Sequence, residues 1–110
     1  VVLCPVTLTP AFAHHQEAEW DTRSITVNER ERRYLELEGW PALVGAAYLP
    51  STSAPVGRTA AGLPVGIQVV APMYHDRRAI AVAGALTRAI GGYGPPPIVV
   101  SPERDLMSPR

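Results

Sequence analysis

An α/β fold is what this 110-residue sequence predicts. In the segment PVGIQVV, Pro64 to Val70, the residues Val65, Ile67 and Val69 point one way while Gly66, Gln68 and Val70 point the other. Neither set is polar, which is the pattern of a central strand covered on both faces. After Pro72 the apolar residues Ala79, Val82, Ala83, Leu86, Ala89 and Ile90 recur at helical spacing and form one stripe. Along the chain the order strand, helix, strands, helix points to helices packed on a sheet.

The elements follow in order. Val1 to Val6 is a short, β-branched apolar run that ends near Pro5, where a backbone donor is lost. Residues 7–21 read as irregular chain. In NERERRYLELEG, Asn28 is a candidate N-cap, Glu29 and Glu31 fall in the first turn, Glu29 stands one turn before Arg33, and Gly39 offers a left-handed stop; the segment therefore predicts a charged helix. WPALVGAAY adds a short apolar helix before Pro50, and STSAPVG and PVGIQVV are two strands. Asp76 is the expected N-cap of a helix from Arg77 to Ile90 that Gly91-Gly92 ends. Residues 98–110 read as an extended or disordered tail, leaving 1–97 as the folded part. Strands apolar on both faces need more cover than two helices give, so self-association or a partner chain is expected.

Composition narrows the function. Ten basic residues balance ten acidic ones and the pI is near 7, which supplies no field to attract nucleic acid or an anionic membrane. The longest apolar runs, such as AIAVAGAL, fall far short of the roughly 20 residues that cross a bilayer. The opening VVLCPV has neither an initiator Met nor a basic region, and reads as an interior cut rather than a signal peptide. Cys4 is the single cysteine, which excludes an internal disulfide framework and suits a reducing compartment, the cytoplasm. All ten basic residues are arginines, so the chain has no lysine.

Several residues have the right chemistry in the wrong pattern. Ser51 and Ser53 with His75 and Asp76 supply the types of a hydrolase triad, yet neither serine sits in a Gly-x-Ser-x-Gly elbow and His75 is adjacent to Asp76. They read as strand-entry serines and a capping aspartate. Neighbouring His14 and His15 diverge and have no second ligand pair, so with Cys4 they make no metal site. Gly57, Gly62 and Gly66 lack the lysine and the following helix of a phosphate loop. They are turn and packing glycines, Gln68 reads as a buried, satisfied amide, and no cofactor is implied.

GLPVGIQVVAP followed by HDRRAIAVAGAL resembles the C-terminal signature of the amidase signature hydrolases, in which a Gly-Leu-Pro-x-Gly-x-Gln strand precedes an acidic-capped helix. YLPSTSAPVGRTAAG resembles the segment before it, and VVLCPVTLTPAF the strand and Pro-rich turn further upstream, so the resemblance covers Val1 to Ile90. Many members carry Asn-x-x-Gly before the Leu-Pro pair; here Gly45 and Tyr48 occupy those two places. The resemblance implies the C-terminal part of a mixed-sheet, helix-covered fold and hydrolysis of carboxylic amides by a nucleophilic Ser, a second Ser and a Lys, with backbone amides of a Gly/Ser-rich loop as the oxyanion hole. A chain without lysine or such a loop cannot hold that triad, so none of its residues is assigned a catalytic role and the chain alone is expected to be inactive. Trp40 and Tyr48, in the segment that walls the pocket in the family, are the candidates for substrate contact. The alternative is a non-catalytic binding or structural module, or a degenerate remnant of an amidase.

Overall fold

A computed structural model describes residues 1–14 and 19–96, so His15 and the tail at 98–110 lie outside the described residues. Three strands, β1 (Val2–Pro5), β4 (Ser51–Arg58) and β5 (Pro64–Val70), form a sheet in the order β1-β5-β4. The strand expected to be central is central. Both pairings are antiparallel, and between β4 and β5 this follows from the five residues after Arg58, which close a tight hairpin that leaves no room for a crossover. A mixed sheet needs a parallel pair, and none occurs among the described residues.

Prolines sit where a sheet tolerates them. Pro5 and Pro55 lie on the two outer strands and Pro64 is the first residue of the central one, so no inner ladder bond is lost. β4 also carries a register shift between Pro55 and Gly57. The Gly-Leu-Pro turn has a backbone cause: Gly62 adopts φ 83°, its N–H donates to Thr59 O, and Thr59 N–H donates to Leu63 O. Leu63 N–H returns to Thr59 Oγ1 at 3.1 Å, which fixes the chain direction into β5.

Helix α2 (Asp76–Ile90) covers one face of the sheet. Register puts Ala54 and Ile67 opposite one another, with Val69 two residues on along the same face. Ala54, Val69 and Ala83 form the buried centre, with Val82 and Leu86 packed against it. The expected stripe therefore holds from Ala79 to Leu86. Ala89 and Ile90 are exposed at its end, and Ile90 instead lines a recess against the β4–β5 hairpin. Asp76 is not the N-cap. That position belongs to His75, whose ring makes no cap bond, and Asp76 is the first helical residue. Gly91, with φ 103°, ends the helix as expected.

The charged helix expected from Asn28 does not form. Ser24–Val27 (β2) and Arg30–Arg33 (β3) make an antiparallel hairpin in which Val27 faces Arg30 across the two-residue turn Asn28-Glu29. Both turn residues have positive φ, 50° and 63°, the requirement of a type I′ turn, and that geometry cannot begin a right-handed helix. Tyr34–Glu38 then forms a 3₁₀ turn that leads into α1 (Gly39–Ala46), the short apolar helix predicted before Pro50. The ion pair in this region joins Arg32 to Glu36 at 2.8 Å, whereas Glu29 is held in the turn and does not pair with Arg33. Among the described residues no helix is long and apolar enough to cross a membrane.

Candidate functional site

On the sheet face away from α2, register aligns Cys4, Gln68 and Ser53 in one row across all three strands. Cys4 and Gln68 are buried and Ser53 is exposed. Gln68, only 4% exposed, donates from Nε2 to Pro5 O at 3.2 Å, which satisfies the amide as expected and ties the end of β1 to the central strand. Such an anchored amide holds a strand in place. Nothing in this row supplies a base beside a nucleophile.

The residues of a possible triad are not assembled. Ser51 and Ser53 are exposed on β4, while the His75 ring nitrogen Nδ1 lies 3.0 Å from Met73 O, and no hydrogen bond joins either serine to His75 among the described residues. No group of three or more His, Cys, Asp or Glu side chains among them could hold a metal ion.

Trp40 and Tyr48 flank α1, one in its first turn and one just past its end. Within the described residues they are 38% and 83% exposed. Tyr48 has a left-handed backbone, φ 53°, as the residue that follows the helix C-cap Ala47. Its N–H donates to Gly45 O at 3.0 Å and that of Leu49 to Val44 O at 3.2 Å, the two bonds of a Schellman motif. That explains why glycine suits this place, and tyrosine occupies it here. Tyr74, which no sequence pattern marks, has the same left-handed backbone at φ 65° and is 89% exposed.

Recesses lie beside both hairpins of the described residues. One of about 500 Å³ lies between Phe12 and the β2–β3 hairpin, with Ile25, Glu29 and Glu31 in its wall. The edge of Phe12 meets the Tyr34 ring there, at a centroid distance of 6.1 Å and an angle of 86°, and the Arg23 guanidinium stands 5.8 Å from the centre of the same ring. The other, about 480 Å³, lies between Arg58, Pro64, Ile90 and Tyr93, where Arg58 Nη1 donates to Gly62 O at 2.9 Å. Trp40 and Tyr48 line neither.

The Gly-Leu-Pro turn, the central strand it feeds and the first turn of α2 fall within the match to a known family, whose model, described as Amidase, covers residues 1–80. This chain belongs to the amidase signature family. Among its amidase relatives, fatty-acid amide hydrolase 2-A of Danio rerio is 46% identical over 48 residues, 44% of this chain and 9% of that protein. The A subunit of glutamyl-tRNA(Gln) amidotransferase from Bdellovibrio bacteriovorus is 33% identical over 89 residues, 81% of this chain and 16% of that protein. Its counterpart from Salinispora arenicola is 51% identical over 47 residues, 43% of this chain and 9% of that protein. The chain thus spans less than a fifth of each of these relatives.

Proposed function

We propose that this chain contributes the C-terminal strand and helix portion of an amidase that hydrolyses carboxylic amide C–N bonds. The single observation that carries this reading is the family match over residues 1–80, which runs through the β4–β5 hairpin into α2. Because the chain has no lysine, the nucleophilic Ser, its activating Ser and the Lys base come from sequence outside these 110 residues. There the neutral Lys takes the nucleophile's proton through the second Ser and passes it to the leaving nitrogen as the C–N bond breaks. Water then releases the acid from the acyl-serine. Trp40 and Tyr48 contact the substrate, in a pocket that the other portion completes. Parallel strands from that portion would make the sheet a mixed one. The names of the relatives that are amidotransferase subunits support association with other chains, and the lone thiol of Cys4 supports a cytoplasmic setting.

The test follows ammonia release from a panel of aliphatic and aromatic amides. The chain alone should release none. Mixed with the separately produced N-terminal portion of a full-length amidase relative, it should form a complex and gain turnover. Hydrolysis by the chain alone, abolished in Ser51→Ala or His75→Ala, would overturn the proposal, and a complex without turnover would favour a binding module.

A further inference from the structure

We draw no further inference here: the strongest candidate, the recess of about 480 Å³ between the β4–β5 hairpin and the C-terminal end of α2, with Arg58, Ile90 and Tyr93 in its wall, belongs to a chain that spans less than a fifth of its relatives' length, and nothing in the structure shows what covers it.

Discussion

The side-chain amide of Gln68 donates to the carbonyl of Pro5 across 63 residues of chain, at 3.2 Å. The bond is placed where β1 is weakest, since Pro5 has no N–H and cannot donate to the ladder itself. Removing the donor leaves a carbonyl unmatched beside a buried position. Gln68→Leu, nearly the same volume, should therefore cost about 1–3 kcal/mol in urea denaturation and speed amide exchange in β1 more than in β4. Equal acceleration in both strands would show that the amide supports the sheet generally.

Gly66 has a close backbone neighbour. A Cβ there would stand 3.2 Å from the backbone oxygen of Ala54 on the paired strand. Gly66→Ala should displace β4 and destabilise by about 1–3 kcal/mol, the range for overpacking. Gly39→Ala, where a Cβ meets nothing within 4 Å, is the control and should be nearly neutral.

Asp76 acts on the helix through charge, having no cap bond to lose. Asp76→Asn should cost about 0.3–1 kcal/mol at low ionic strength and close to nothing in molar salt. A loss that persists in salt would mean a hydrogen bond to the first turn after all.

Glu36 accepts from Arg32 Nη1 at 2.8 Å and from the Arg33 N–H at 3.3 Å, and these bonds, the Arg32 side chain's first, hold its carboxyl below the usual glutamate range. A lowered folded-state pKa gives stability that is present above the unfolded value, about 4.3, and is lost as pH falls through the folded one. The 3₁₀ turn after β3 should loosen in that acid window. Carboxyl NMR titration of Arg32→Gln should return Glu36 towards the ordinary range, and an unchanged midpoint would reassign the shift to the backbone.

Glycine and proline explain what is legible in the sequence. Gly62, Pro64 and Gly91 mark backbone events that permit few alternatives, and β5, α2 and their order follow from them. Asn28 misleads because its turn partner is Glu29 rather than glycine, so the charges at helical spacing outweigh the Ile25 and Val27 alternation that announces β2. His75 takes the cap position from Asp76 although an aspartate is the better capping residue. Tyr48 stands out through its neighbourhood, and its left-handed backbone is visible only in three dimensions. Tyr74 has no sequence pattern at all, since an aromatic residue in a glycine place is legible only when the turn is seen.

The sheet also sets an order of assembly. β4, β5 and α2 are consecutive in the chain, and the hairpin between the strands closes over five residues. β1 must be brought to β5 over the 63 residues that separate Pro5 from Gln68, which costs about 2 kcal/mol more in loop-closure entropy. The hairpin and its helix can therefore form while β1 is still searching, and β1 is the last strand on and the first off. Until it arrives, the inner edge of β5 that it will occupy is an open ladder, ready to accept a strand of similar apolar character from any neighbouring chain. The lifetime of that open edge, set by how fast a strand of four residues finds its place, governs how this chain behaves at high concentration.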